Sequence, residues 1–463
     1  MVVIGAGPAG EKGAAQAAYF GKKVAIVERS ARPGGAAAIN AWVPSKTVRE
    51  AALYLTGFRH RDVYEGLSLN LDPAFAVSRL RDRSSRVIEA ITDEVRDNIE
   101  RHGIELVRGE ARLDGGGTVE VTTANPAARR VLHADVILLA TGSRPFHPPG
   151  VPFDDPDVLD SERVLDIDRP LSSLIVVGGG AVGCEYASIF CALGTAVTLL
   201  DNAGCLVPFM DHDISDGLAE ALRQVGVRIV LRSGRVAVRR DDVGLCVERP
   251  DGEVLRAEKV LFAAGRVGNT DGLGLRELGV EVDDRGRIVV DACYRTAVEG
   301  LYAAGDVIGP PALASVSMEQ ARVAACHAFG IPFKEMVDPI TPLGVYSIPE
   351  AAGVGLTEAQ AAAQGIDYEI GIARFAANSR SVIAGTTGGL IKLVFARGDR
   401  RLLGVHILGE SATELVHQGQ AVLHFSGTID YFIQAIYNVP TQSEAYKYAA
   451  YDGLQRLARD GGG

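Results

Sequence analysis

Two glycine-rich loops in one chain, each set between an apolar β-type run and a helix-type run, restrict this sequence more than any other feature. The first, Gly5-Ala6-Gly7-Pro8-Ala9-Gly10, follows Met1-Val2-Val3-Ile4 and opens an alanine-rich helix expected to reach about Tyr19. The second, Gly178-Gly179-Gly180-Ala181-Val182-Gly183, follows Leu174-Ile175-Val176-Val177. Each is followed by another apolar strand that closes on an acid, Glu28 in the first case and Asp201 in the second. The first glycine of such a loop makes the tight turn. The second lets backbone approach a pyrophosphate, and the third packs helix on strand. The helix N-terminus then faces the phosphates and the acid accepts ribose hydroxyls. Two complete units imply two bound dinucleotides.

Shorter motifs fit the same plan. Ala140-Thr141-Gly142 and Ala263-Ala264-Gly265-Arg266 each close an apolar strand, and Leu301-Tyr302-Ala303-Ala304-Gly305-Asp306 is a strand ending in an acid. A helix is expected from about Ser315 to Ala328, with its positive end available to negative charge. After residue 340 the pattern changes. Gly389-Leu390-Ile391-Lys392-Leu393-Val394-Phe395 and Leu403-Gly404-Val405-His406-Ile407-Leu408 predict an antiparallel sheet, flanked by helices over 411–425 and 443–457. The expected architecture is α/β: two Rossmann-like dinucleotide-binding domains, at 1–145 with 270–340 and at 146–269, plus a C-terminal α+β dimerisation domain at 341–463.

The net charge of −11 argues against nucleic acid or an anionic membrane as partner, and no apolar run is long enough to span a bilayer. The six cysteines show neither a CxxC nor a metal-ligand spacing, so they are expected to be reduced thiols in a cytoplasmic protein, with no metal. Because Met1-Val2-Val3-Ile4 already reads as the end of a buried strand, no signal peptide is expected, and a few residues are expected to precede Met1. The tail Gly461-Gly462-Gly463 is expected to be disordered.

With these stretches in place, the chain resembles the pyridine nucleotide-disulfide oxidoreductase family, in its dihydrolipoamide dehydrogenase-like class, over essentially its full length. The matching stretches are 3–28, 34–46, 138–145, 176–190, 263–270, 300–322, 348–358 and 439–445. Gly183-Cys184-Glu185-Tyr186-Ala187-Ser188-Ile189-Phe190, Gly268-Asn269-Thr270-Asp271 and Ala304-Gly305-Asp306-Val307-Ile308-Gly309 look most like its soluble, flavin-dependent transhydrogenase branch.

The resemblance implies a homodimeric enzyme binding FAD and NAD(P). It carries FAD contacts onto Gly5, Gly7, Gly10, Glu28, Gly35, Ala36, Ala111, Thr141, Gly142, Asp306 and Ala314. It carries nicotinamide-nucleotide contacts onto Gly178, Gly180, Gly183, Glu185, Asp201, Val236, Gly265 and Arg266. Lys46 looks like the family lysine beside the flavin, with Glu185 as its ion-pair partner, and these two are the implied catalytic residues. Asp306 would take the ribityl chain.

Three departures narrow the chemistry. Where the family carries its redox cysteine pair, this chain has Ala37 and Trp42, neither of which can form a thiolate. Where disulfide reductases carry a His-Pro pair, Val439-Pro440 stands instead, although Glu444 is kept. Electron transfer from flavin to a disulfide is thereby excluded at this site. Finally, Asp201-Asn202-Ala203-Gly204-Cys205 offers no base to an NADP 2′-phosphate and should favour NADH; Arg232, Arg235 and Arg266 are the bases that could compensate.

The leading expectation is hydride transfer from NAD(P)H through FAD to a second nicotinamide nucleotide. The alternatives are an NAD(P)H:quinone or dye reductase and, from another class, a non-catalytic flavoprotein sensing the NADH/NAD+ ratio.

Overall fold

The computed structural model of the protein describes residues 1–39, 42–60, 73–115, 117–123, 128–242 and 244–460. Asn40 and Ala41 of the segment before Lys46, and the tail from Gly461, lie outside the described residues. The chain divides into two compact units. One comprises Met1–Thr47, Arg79–Phe146 and Ala264–Asp338, the other Val48–Ser78, His147–Ala263 and Pro339–Gly463.

The first unit is built on a parallel sheet ordered Leu301–Ala303, Ile137–Leu139, Val2–Ile4, Ala25–Glu28, Glu105–Arg108. Its central strands Val2–Ile4 and Ile137–Leu139 read as unbroken, buried apolar runs because both faces are covered. Val3, Ile26 and Leu138 pack with Ala14, Ala321 and Ala324 of the helices Pro8–Tyr19 and Ala314–Ala328. Their neighbours Val2, Ile4, Val27 and Leu139 face the other way, onto Leu113, Val119 and Val121 of a small antiparallel sheet. Alanine dominates the helices at that interface, so the two helices approach each other closely over the sheet.

The chain leaves this unit after Phe146 and returns at Ala264. Arg266–Gly268 pairs antiparallel with Ser143–Pro145, so the two crossing strands form one ribbon on the first unit.

The second unit holds a second parallel sheet, ordered Arg228–Leu231, Ala196–Asp201, Ser173–Val177, Lys259–Phe262, Val158–Asp160. The helix Ala181–Ala192 starts directly after its central strand. The same unit includes an antiparallel sheet, ordered Leu343–Val345, Ala351–Gly355, Leu402–Leu408, Leu390–Ala396, Tyr368–Arg374. Its flanking helices run Ala412–His424 and Glu444–Asp460. The sheet is antiparallel as expected, but its central strands do not alternate in burial. Every residue of Leu402–Leu408 is buried, and so is each of Leu390–Ala396 except the last. Lys392 is therefore enclosed, at 0% exposure, in a strand otherwise lined by apolar side chains.

Candidate active site: two dinucleotide loops

In the first loop Gly5 has φ +105°, and a Cβ there would lie 2.4 Å from the carbonyl oxygen of Ala140. Gly10 admits no side chain either, since its Cβ would fall 1.8 Å from Gly5 O. Gly7 is the extended residue before the helix Pro8–Tyr19, at φ −76° and ψ −176°. Glu28 is buried, and its two oxygens accept from Ala6 N (2.8 Å) and Ser30 N (2.7 Å). Each oxygen keeps a second lone pair for a hydroxyl. A further turn closes on this loop: Gly34 N donates to Ala6 O (2.8 Å), and a Cβ on Gly35 would meet Gly7 Cα at 2.8 Å. Gly35 and Ala36 then begin the short helix Gly35–Ile39.

The second loop repeats this geometry. Gly178 has φ +118° with a would-be Cβ 2.4 Å from Ala263 O, and the Cβ of Gly183 would lie 1.7 Å from Gly178 O. Asp201 accepts from Gly179 N and, at 2.5 Å, from Ala203 N. Among the described residues, no atom outside its chain neighbours and its own helix lies within 4 Å of a Cβ built on Gly180. Val236 is half-buried, immediately before the strand Ala237–Asp241.

The remaining expected FAD residues lie in the first unit. Thr141 and Asn269 are locked together, Thr141 Oγ1 donating to Asn269 O (2.7 Å) and Asn269 Nδ2 to Thr141 O (2.9 Å). Gly142 sits at φ +68°. Asp306 Oδ2 accepts from Ser143 Oγ at 2.8 Å. Arg266 donates from Nε to Ser143 Oγ and from Nη2 to Ser143 O, both at 2.7 Å, and so orients the serine that holds Asp306. The carbonyl of Gly265 accepts from Phe146 N (2.9 Å). Ala111 lies on the strand Glu110–Leu113, opposite Val121, and Ala314 is the first residue of its helix.

FAD fits these residues. The glycines leave a backbone cradle that any Cβ would fill. The buried Ser317 Oγ, without a hydrogen-bond partner among the described residues, lies 3.5 Å from the Cβ position of Gly305, whose other close neighbour is Ala9 Cβ.

Ala37 lies in the short helix Gly35–Ile39, Trp42 opens the helix Trp42–His60, and Lys46 is half-buried on that helix. Glu185 is buried in the first turns of the helix Ala181–Ala192, where its Oε1 accepts from Tyr346 N (2.9 Å). One turn on, Ser188 Oγ accepts from Ile348 N (3.0 Å). Sequence reasoning missed this docking of helix onto backbone, since amide donors carry no residue signature. Val439 is exposed, and Glu444 opens the helix Glu444–Asp460. Burial drives the Cys184 thiol up to about 12, which keeps it protonated against Gly179 O. Asp211, His212 and Glu358 bring metal-type ligand atoms together, but Lys392 Nζ already holds both carboxylates, at 2.8 and 2.6 Å.

Residues 1–325 match the pyridine nucleotide-disulphide oxidoreductase family model, and residues 341–450 that family's dimerisation domain. A soluble pyridine nucleotide transhydrogenase of Mycobacterium tuberculosis is 43% identical over 457 residues, 99% of this chain and 97% of the relative. One from Marinomonas sp. is 39% identical over 461 residues, 99% and 98% of the two chains. Among solved structures, LpdA of Mycobacterium tuberculosis matches with a TM-score of 0.88 at 27% identity, covering 97% of this chain and 98% of that one. The HOCl-induced flavoprotein disulfide reductase RclA of Escherichia coli matches at 0.87 and 26%, covering 97% and 99%. The chain belongs to the pyridine nucleotide-disulfide oxidoreductase family, as an FAD-dependent oxidoreductase acting on nicotinamide nucleotides.

Proposed function

We propose that this protein is a soluble pyridine nucleotide transhydrogenase, passing hydride between NADH and NADPH pools through bound FAD. The observation that carries it is the pairing of two intact dinucleotide loops with Ala37 and Trp42 at the dithiol positions, in a chain alike over its full length to transhydrogenases. FAD, when bound, supplies the reversible two-electron carrier. The chain binds and orients. Gly5, Gly7 and Gly10 admit the FAD pyrophosphate, and Gly178, Gly180 and Gly183 that of the nicotinamide nucleotide. Glu28 and Asp201 hold the riboses, and Lys46 sets positive charge beside the flavin. Hydride transfer needs no side-chain acid or base, so the loss of the His at Val439 costs the reaction nothing.

In this reading 1–145 with 270–340 hold FAD, 146–269 hold NAD(P), and 341–463 form the homodimer contact. Exposed Ile436, Val439, Tyr448 and Tyr451 in that last region support the dimer. Six free cysteines, and no helix long and apolar enough to cross a membrane among the described residues, support a cytoplasmic location.

The test is steady-state reduction of a thionicotinamide analogue of NAD+ by NADPH, beside reduction of a quinone. Sustained exchange is expected, unaffected by arsenite on the NADPH-reduced enzyme. Turnover with quinone alone would replace this reading with the quinone reductase. Flavin that neither nucleotide bleaches would favour the sensor.

A further inference from the structure

Exchange between the two nucleotide pools requires that one site accept a 2′-phosphate as well as a free ribose. This inference rests on that reading of the function. The stretch after the second acid, Asp201-Asn202-Ala203-Gly204-Cys205, carries no base. The fold supplies one from the next strand. Arg232 follows Arg228–Leu231, the neighbour of Ala196–Asp201 in the parallel sheet. Beyond the strand ends the two chains stay tied: Arg232 N donates to Ala203 O (3.1 Å) and Ser233 N to Asp201 O (2.9 Å). Arg232 adopts a left-handed turn at φ +53°, which folds it toward the first chain.

Its guanidinium lies against Gly204. A Cβ on that glycine would sit 3.4 Å from both Nε and Nη2 of Arg232 and 3.9 Å from Cζ. Glycine at this position thus leaves the guanidinium a flat seat just past the ribose acid. Neighbouring arginines are engaged elsewhere: Arg228 pairs with Glu253, Arg235 donates to Pro149 O, and Arg240 grips Asp155 and Asp157. Arg266 is bound to Ser143 in the other unit. Among the described residues the Arg232 guanidinium has no hydrogen bond or ion pair. In a chain of net charge −11, an unpaired arginine held at the adenosine end of a nucleotide loop is a receptor for an anion. Asp201 presents its carboxylate inward, to Gly179 N and Ala203 N, and so leaves the space past Gly204 to that cation.

We propose that Arg232, seated on Gly204, binds the 2′-phosphate of NADP(H) and is the residue that makes this site accept both nucleotides.

The test is calorimetric binding of 2′,5′-ADP and of 5′-ADP to the FAD-loaded protein. Arg232→Met should weaken 2′,5′-ADP at least tenfold and leave 5′-ADP within twofold. Arg232→Lys should restore part of the loss, because charge returns without the planar fork. Gly204→Val should copy Arg232→Met by displacing the guanidinium. In turnover, kcat/KM should fall about tenfold for NADPH and stay within twofold for NADH. Unchanged 2′,5′-ADP affinity in Arg232→Met, or an equal loss for both ligands, overturns the assignment. If the ligand selectivity follows Arg232 but the protein exchanges no hydride between NADPH and the NAD+ analogue, the proposed function fails and the phosphate site stands.

Discussion

The two dinucleotide loops differ in what lies over them, while their own backbones nearly coincide. Gly7 sits at φ −76° and ψ −176°, Gly180 at −74° and −172°. In both, the second loop residue donates its amide to the ribose acid and gives its carbonyl to the chain beyond. Ala6 O accepts from Gly34 N, and Gly179 O from Val207 N, each at 2.8 Å. From there the chains diverge. After Gly34 comes Gly35, at φ +61°, and the backbone turns back until Gly35 nearly touches Gly7. After Val207 the chain moves off and leaves Gly180 uncovered. A loop roofed by backbone suits a cofactor that stays, and an open loop suits a nucleotide that must leave each turnover. The glycine doublet is what permits the roof. Val207 reaches its carbonyl at φ +39°, an unfavourable conformation for a β-branched residue, held by full burial.

The largest effects should come from the third glycines. Gly10→Ala and Gly183→Ala each force a Cβ into the carbonyl of the loop's first glycine, so each should destabilise its own sheet by about 3 kcal/mol or more. Their consequences should separate. Gly10→Ala should purify without flavin, and Gly183→Ala should stay yellow yet fail to bleach with NADH. Visible spectra of the two variants decide this; a colourless Gly183→Ala would mean that the loops are not independent.

These loops were legible because a turn, a close approach and an acid all leave residue-level marks at fixed spacing. The roof was not, since Gly34-Gly35 reads only as a turn until its docking on Gly7 is seen. Arg266 was read as a nucleotide ligand because the motif carries it. Its engagement with Ser143 depends on a ribbon pairing across the chain crossing. The seat of Arg232 depends on a left-handed turn that no sequence pattern marks. Lys392 was visible as a charge inside an apolar run, but its partners Asp211, Asp213 and Glu358 are distant in sequence, and alternation would have placed it on a solvated face.

That lysine is the next difference between the loops. Among the described residues it is the one buried lysine, and it belongs to the unit of the second loop. Lys392 Nζ contacts Asp211 (2.8 Å), Asp213 (2.7 Å) and Glu358 (2.6 Å), and Asp211 caps the helix His212–Gln224. Lys392→Met would leave the buried Asp211 carboxylate without its ammonium partner, at about 3–5 kcal/mol. Burial alone would raise the Asp211 carboxyl, but the Lys392 ammonium and other partners outweigh it and the net shift is downward. His406, fully enclosed nearby, is also held below its ordinary value, by burial. A depressed folded value means stability present above the unfolded one and lost as pH falls. The decline should begin below about pH 6.5 with His406 and steepen below about pH 4 with Asp211. Chemical denaturation across that range, on wild type and Lys392→Met, should show the low-pH limb flattened in the variant. An unaltered limb would assign acid sensitivity elsewhere.

The smallest change in stability, and the sharpest use of the comparison, is alanine at the second glycines. Both backbones lie where alanine is allowed, so neither substitution strains the chain. Fewer unfolded conformations should favour alanine by about 0.4–1 kcal/mol. Alanine is the poorer residue before a helix, which offsets part of that gain. Among the described residues, the new methyl at 180 meets nothing within 4 Å, and that at 7 meets only Gly35 Cα at 3.7 Å. Melting of either flavin-free protein should therefore change by no more than about 1 kcal/mol in stability. Ligands feel the difference, because the pyrophosphate must lie against the same backbone. Gly180→Ala should raise KM for NADH and NADPH together, by roughly tenfold, with flavin content unchanged. Gly7→Ala should lower flavin content and leave nucleotide KM alone in the fraction that holds FAD. If Gly180→Ala leaves both KM values untouched, the open space over the second loop is not where the pyrophosphate lies, and the contrast between a roofed and an open loop loses its meaning for turnover.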